Sequence, residues 1–154
     1  MSLNEEVEAL RNVPLFAKIE PSKLKLLAFT SENLSFDDGE VLFEVEEPAD
    51  SAYVIMEGEV EVMSGDVVAV TLRQNQLFGE MAVLSNAPRS ATIRAKGQLR
   101  ALRITDEAFI KLLTDNPDVA LDVMRQLSDK LAASHRQYEE VQAQLMELES
   151  GSAH

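Results

Sequence analysis

The sequence predicts a mostly β protein with flanking helices: a jelly-roll-like body between an N-terminal helical segment and a long C-terminal helix. Three observations carry this expectation. From about residue 33 to residue 104, short runs rich in Val, Ile and aromatic residues alternate with turn residues, the spacing of closed sandwiches and barrels. Ahead of that stretch, apolar residues recur at helical spacing. Behind it, no Gly or Pro interrupts the chain from residue 118 until Gly151.

Taken in order, Leu3–Arg11 puts Leu3, Val7 and Leu10 on one face of a short amphipathic helix. After VPLFAKIEP, residues 22–28 (SKLKLLA) read as a second helix with Pro21 or Ser22 near its start. The strand-like runs are DDGEVLFEV, SAYVIMEGEVEVM, DVVAVTL, ATIRAK and LRALRI. Asp38-Gly39, Glu57-Gly58, Gly65-Asp66 and Gly97 are the expected turn sites among them. Val60-Glu61-Val62 and Ile93-Arg94-Ala95-Lys96 alternate as half-buried strands do. Thr105 or Asp106 caps the helix DEAFIKLLT, which Asn116-Pro117 interrupts. The organisation expected is a helical segment at 1–29, a β body at 30–104, C-terminal helices at 105–149 and a tail at 150–154.

The last helix should run for roughly 30 residues. Met124, Leu127, Leu131, Ser134, Tyr138, Val141, Leu145 and Leu148 follow one another at alternating steps of three and four, a heptad seam. Such a seam predicts a parallel homodimer; the alternative is a helix folded back on its own barrel. The flanking positions are mostly Gln, Ser, His and Lys, so charge pairing would not dictate the partner.

Composition narrows the function classes. The 154 residues are 45% hydrophobic and 27% charged, those of one ordinary domain with an appended helix. No apolar run is long enough to span a bilayer, and the acidic N-terminus has no signal-peptide pattern, so a cytoplasmic protein is expected. The absence of cysteine excludes disulfides and thiolate chemistry. A net charge of −13 argues against direct binding of nucleic acid or of anionic membranes. Residues 67–105, however, hold six basic side chains (Arg73, Arg89, Arg94, Lys96, Arg100, Arg103) against the single acid Glu80. A local positive field in an acidic chain suits a small anionic ligand. Arg100 and Arg103 are better read as solvent-side residues on strands. The acidic runs at 44–47 and at Glu139-Glu140 read as solvated faces.

Residues 78–92, FGEMAVLSNAPRSAT, bring these threads together. Gly79 has no Cβ, so its backbone can approach a ligand closely. Residues 80–84 are long enough for a single helical turn, whose first N–H groups point outward and suit phosphate. Glu80 there can accept from a pair of hydroxyls such as a ribose. Pro88 stiffens the approach to Arg89, whose guanidinium can donate two parallel bonds to phosphate oxygens. On residue types alone, a Glu80–Arg89 ion pair bracing a surface loop is an equal alternative.

The same stretch resembles the phosphate-binding cassette of the cyclic nucleotide-binding domain family, with an unbroken F-G-E … P-R pattern and nine residues from Glu80 to Arg89. DDGEVLFEVEEPADSAYVIMEGEVEV resembles the family's first strands and glycine-containing hairpin, AFIKLLTDNPDVALDVMRQLSDKL its C-terminal helices, and the likeness covers about residues 13–140. It implies a β-roll fold, a regulatory rather than catalytic role, and cAMP or cGMP as ligand with no other cofactor. It implies further that Glu80 binds the ribose 2′-hydroxyl and Arg89 the cyclic phosphate. Gly79, Met81, Ala82 and Ala91 would line the ligand, and Ser90 would sit near phosphate and base. In relatives, threonine at the Ser90 position favours cGMP and alanine cAMP; the serine here leaves the choice open with a lean to cAMP. Aligned on NPD, Ser134 falls where a hydroxyl contacts the adenine across a dimer, with Leu131 and Lys130 as neighbours. One departure is LRQNQL before FGE, where the family has a glycine-containing turn; Asn75 tolerates the left-handed conformation and can replace it.

The function expected is a stand-alone sensor, without a DNA-binding segment after the long helix, signalling through its C-terminal helices to an unidentified effector protein. The alternative is a structural or interaction protein that dimerises through that helix over a vestigial nucleotide site. An enzyme of the metal-dependent cupin type is not expected, because the two histidines, His135 and His154, lie on the long helix and at the last residue.

Overall fold

The computed structural model of the chain describes residues 3–152; of these, the side chains of residues 130–141 and 147–152 fall outside the description. The chain divides into two compact units, one ending at Val119 and the other starting at Ala120. The first unit holds a six-stranded antiparallel sheet and four helices. The second is the greater part of one helix.

The strands are β1 (Glu32–Phe36), β2 (Val41–Phe43), β3 (Ser51–Ser64), β4 (Val67–Leu72), β5 (Leu77–Phe78) and β6 (Thr92–Thr105). Their order is β1-β6-β3-β4, with β2 also paired to β6 and β5 to β3. The centre is the β3–β6 ladder, which runs from Ser51 opposite Thr105 to Met63 opposite Thr92. A six-stranded antiparallel sheet with flanking helices is therefore the architecture found, with more residues in helix than in strand because the last helix alone spans 36 residues.

Two expected turns are corrected. Glu57-Gly58 and Gly97 do not end strands; they sit inside β3 and β6, so ATIRAK and LRALRI belong to one strand of 14 residues. The register shifts between Ile55 and Glu57 and again between Glu57 and Glu59, so both glycines mark bulges. A bulge bends and twists a strand without ending it, which glycine permits at positive φ. At Gly58 (φ +98°) a Cβ would lie 2.3 Å from the Gln98 carbonyl oxygen, so the backbones approach there as only glycine allows. Asp38-Gly39 and Gly65-Asp66 are turns as expected, the second a two-residue hairpin between β3 and β4. Asn75 adopts φ +70°, and its N–H donates to the Ile55 carbonyl at 2.9 Å, so LRQNQL makes its turn without glycine.

Helices α1 (Leu3–Arg11) and α2 (Pro21–Thr30) precede the sheet. Between them a 3₁₀ turn at Pro14–Phe16, which no sequence signal marked, buries Leu15 and Phe16. Phe16 meets Phe109 of α4 (Asp106–Asp115) with ring centroids 6.5 Å apart, closing the helical side of the core. Thr105 is the cap of α4, its Oγ1 accepting from the Ala108 N–H at 3.2 Å. Asn116 ends α4, donating from Nδ2 to the Leu112 carbonyl at 2.7 Å. Inside the roll, Phe43, Tyr53, Ile55, Val60, Phe78, Ile93 and Leu99 form one buried cluster. The last helix, α5, spans Pro117–Ser152. It leaves Met124, Leu145 and Met146 exposed. Its expected seam residues Leu131, Ser134, Tyr138, Val141 and Leu148 lie outside the described side chains.

Candidate functional site: a buried arginine on a turn–helix–turn

The site is built on the short link between β5 and β6. Strand β5 pairs with β3 (Tyr53 opposite Phe78, Val54 opposite Leu77) and delivers the chain to Gly79 at a fixed height on the sheet. Gly79 is left-handed, φ +81°, and a Cβ there would lie 2.7 Å from Arg89 Nη1. Glycine is thus required both by the turn and by the arginine that packs on it. One helical turn follows, α3 (Glu80–Leu84), as the sequence implies. Its Val83 is buried, while Glu80, Met81 and Ala82 are half-buried. Ser85 closes the turn by donating from Oγ to the Met81 carbonyl at 2.7 Å. Asn86 at φ +51° and the Ala87 N–H on the Ala82 carbonyl (3.0 Å) then reverse the chain into Pro88-Arg89.

The backbone of Arg89 is strapped to the acidic segment 44–47. Its N–H donates to the Glu47 carbonyl and its carbonyl accepts from the Glu46 N–H, both at 2.8 Å. The Val45 N–H donates to Thr92 Oγ1 at 3.0 Å. Glu46 takes a left-handed φ of +74° to do this. The segment read as a solvated face is solvated in its side chains and a clamp in its backbone.

The Arg89 side chain points into the protein, and the residue is 3% exposed. Its Nη1 donates to the Gly79 carbonyl at 2.9 Å and its Nη2 to the Ser51 carbonyl at 2.6 Å. Ser51 Oγ lies 3.4 Å from the same Nη2. The guanidinium carbon sits 4.0 Å from the centre of the Phe43 ring, a cation–π contact. Asp50 is the nearby carboxylate, with Oδ1 4.0 Å from Nη2. Burial pulls the Arg89 pKa below its ordinary value; Tyr53, Asp50 and Glu47 pull it partly back. The side chain remains a cation. Arg89 Nε–H is buried and has no hydrogen-bond partner among the described residues. A buried donor left in that state carries a penalty of about 1–3 kcal/mol, which an anionic oxygen would remove.

The other arginines of 67–105 behave differently, and the expectation of a local positive field spread over the run is corrected. Arg73 pairs with Glu59 (3.4 Å), Arg94 with Glu61 (3.0 Å), Arg100 with Glu57 (3.4 Å) and Glu5 (3.7 Å), and Arg103 with Glu32 (2.9 Å) and Asp50 (3.0 Å). Their partners come from other strands, from the loop before β3 and from α1, which is why the run looked uncompensated in one dimension. Arg89 alone among them is buried.

Gly79, Glu80, Met81, Ala82, Arg89, Ser90 and Ala91 all fall on this one turn–helix–turn, with Ser90 exposed and Ala91 half-buried. Leu131, Ser134 and Lys130 lie outside the described side chains. Sequence reasoning missed the surroundings of Arg89: Phe43, Ser51 and the backbone of 46–47, which hold it, and the nearby carboxylate of Asp50. One signal was available. Ser51 opens the apolar run SAYVIM and is fully buried, a polar side chain where the pattern calls for an apolar one.

Comparison with known proteins agrees with this geometry. The family model "Cyclic nucleotide-binding domain" matches residues 33–116, more than half of the chain. A cAMP-dependent protein kinase regulatory subunit of Blastocladiella emersonii is 34% identical over 115 residues, covering 71% of this chain and 28% of that protein. The chain spans about a quarter of the length of the curated relatives it matches. Among solved structures, a cyclic nucleotide-binding-like protein from Brucella abortus is 30% identical with TM-score 0.62, covering 71% of this chain and 98% of that one. The sensor domain of the transcriptional regulator DNR from Pseudomonas aeruginosa shares the fold, with TM-score 0.77 at 23% identity over 84% of this chain and 90% of that one. No helix among the described residues is long and apolar enough to cross a membrane. With the motif and the buried arginine inside the matched residues 33–116, the chain belongs to the cyclic nucleotide-binding domain family.

Proposed function

We propose that this chain is a cyclic nucleotide sensor that takes cAMP in preference to cGMP, with Arg89 holding the cyclic phosphate. The observation that carries the reading is a guanidinium buried to 3% exposure whose Nε–H has no acceptor among the described residues, inside an intact family motif. Glu80 receives the ribose 2′-hydroxyl. Gly79, Met81 and Ala82 offer backbone along one side of the ligand, and Ser90 and Ala91 flank the phosphate and base. The C-terminal helix acts as a lid, with Leu131 and Ser134 toward the base, and its heptad seam pairs two copies. An effector protein reads the change in that helix; by linkage, whatever engages the output state also shifts nucleotide affinity. The acidic charge of the chain and its cross-strand ion pairs favour a small ligand over a polyanion.

The experiment is a calorimetric titration with cAMP, cGMP and linear 5′-AMP. Micromolar or tighter binding of cAMP, weaker cGMP and no measurable 5′-AMP binding is the expected ranking. Ser90→Thr should move the preference toward cGMP; an unchanged ranking puts discrimination in the helix near Ser134. No heat with any nucleotide at high protein concentration points instead to an interaction protein that dimerises through α5.

A further inference from the structure

The carboxylate nearest to Arg89 is itself held, and not by Arg89. Asp50 Oδ2 accepts from Arg103 Nη2 at 3.0 Å, and Asp50 Oδ1 accepts from Ser51 Oγ at 2.9 Å. Arg103 is fixed in turn by Glu32, whose Oε1 accepts from Nη1 at 2.9 Å, and β1–β6 pairing sets Glu32 directly opposite Arg103. The Asp50 carbonyl accepts from the Asp106 N–H at 2.9 Å, which fixes the main chain at that corner. The result is an ordered row, Glu32, Arg103, Asp50, Ser51, Arg89, in which Asp50 stands 4.0 Å from Arg89 Nη2, outside hydrogen-bond distance.

We propose that Arg103 is a positioning residue for the anion site: by binding Asp50 it keeps that carboxylate from closing on Arg89. The inference rests on the reading of Arg89 as the phosphate-binding residue. Two carboxylate oxygens and two arginines meet here, and the geometry decides which arginine has the direct bond. Arg103 has it, and its charge offsets that of Asp50. Arg89 Nη2 is left to the neutral Ser51 carbonyl at 2.6 Å. Without Arg103, the uncompensated Asp50 carboxylate needs to move by only about 1 Å to make a charge-assisted bond to Arg89. A phosphate would then compete with a carboxylate attached to the same chain. The surroundings support the assignment: burial lowers the pKa of Arg103, but Asp50, Tyr53 and Glu32 together raise it above its ordinary value.

The test is a cycle of Arg103→Ala, Asp50→Asn and the double variant, each titrated with cAMP and followed by thermal melting. Arg103→Ala should weaken cAMP binding about fivefold, in the range found for coupled charge pairs, and the double variant should return it to within about twofold of wild type. Arg103→Lys, which keeps the charge, should lose less than Arg103→Ala. A purely structural arginine would lower melting temperature in both Arg103→Ala and the double variant and give no return of affinity. An unchanged affinity in Arg103→Ala, or no recovery on adding Asp50→Asn, overturns the proposal. A crystal structure of ligand-free Arg103→Ala serves as the second arm, with Asp50 Oδ1 expected at hydrogen-bond distance from Arg89. If wild type itself binds no cAMP, the reading of Arg89 fails, and this distance still decides whether Arg103 holds Asp50 away.

Discussion

The β3–β6 ladder and the cassette between β5 and β6 occupy the same small domain and solve opposite problems. In the ladder, polar backbone pairs across strands, apolar side chains fill the roll, and the charges on its outer face are matched by acids on neighbouring elements. In the cassette, Gly79 and Asn86 adopt left-handed backbone, the helix is five residues long, and a cation is buried with one N–H free of any acceptor among the described residues. Strand pairing satisfies the backbone polar groups of the ladder internally, and those groups have nothing left to offer a ligand. The cassette keeps a donor in reserve and depends on the ladder to hold it rigid.

Substitutions that separate the two regions sharpen this contrast. The largest effect should come from the ladder. Gly58→Ala sets a Cβ 2.3 Å from the Gln98 carbonyl oxygen at φ +98°, with backbone on both sides. Overpacking and left-handed strain together should cost about 3 kcal/mol of folding stability, seen as a lowered urea midpoint. The molecules that remain folded should bind nucleotide with unchanged affinity.

Arg89→Ala is the reverse case. Losing a charge-assisted bond should remove about 1.5–3 kcal/mol of binding, a tenfold to hundredfold weaker Kd for cAMP by titration. The Gly79 and Ser51 carbonyls also lose their donor, so a smaller drop in melting temperature should accompany it. Gly79→Ala should affect both quantities, costing about 1–2 kcal/mol of stability through its positive φ and weakening binding by pushing aside Arg89 Nη1, which the added Cβ would meet at 2.7 Å. Should it melt like wild type and bind like wild type, the packing of Arg89 against Gly79 is not what the cassette uses. The smallest effect is expected where the ladder hands over to the helices. Thr105→Ala removes the cap of α4 and should cost about 1 kcal/mol in denaturant unfolding, with cAMP affinity little changed.

The same contrast explains what could be read from the chain. Amphipathic periodicity located α1 and α4 closely, and α2, which has little amphipathic character, was located by the proline at its start. β2, β3, β4 and β6 were legible as β segments, though β3 and β6 not as two long strands, whereas β1 and β5 fall outside the runs read from the sequence. Gly58 and Gly97 look like turns to local reasoning, and only the register across β3 and β6 reveals them as bulges. The 3₁₀ turn at Pro14–Phe16 carries no periodicity to detect, and it forms where Leu15 and Phe16 find the core. At the site, the motif residues sit on consecutive positions and were visible together. The surroundings of Arg89 were not, because Phe43, Asp50 and Ser51 are about 40 residues away in sequence and meet it only after the sheet forms. For the same reason the basic run at 67–105 looked like a field: its acids, among them Glu5, Glu32, Glu57 and Glu61, lie on other elements.

The most direct test of the central claim watches the reserved donor itself. The Arg89 Nε–H resonance can be followed in ¹⁵N-edited NMR during titration with cAMP, and assigned by its absence in Arg89→Lys. The account predicts that this one signal moves downfield in step with saturation, as a buried N–H gains an anionic acceptor. Saturating cAMP binding with the Arg89 Nε–H signal unmoved would contradict it.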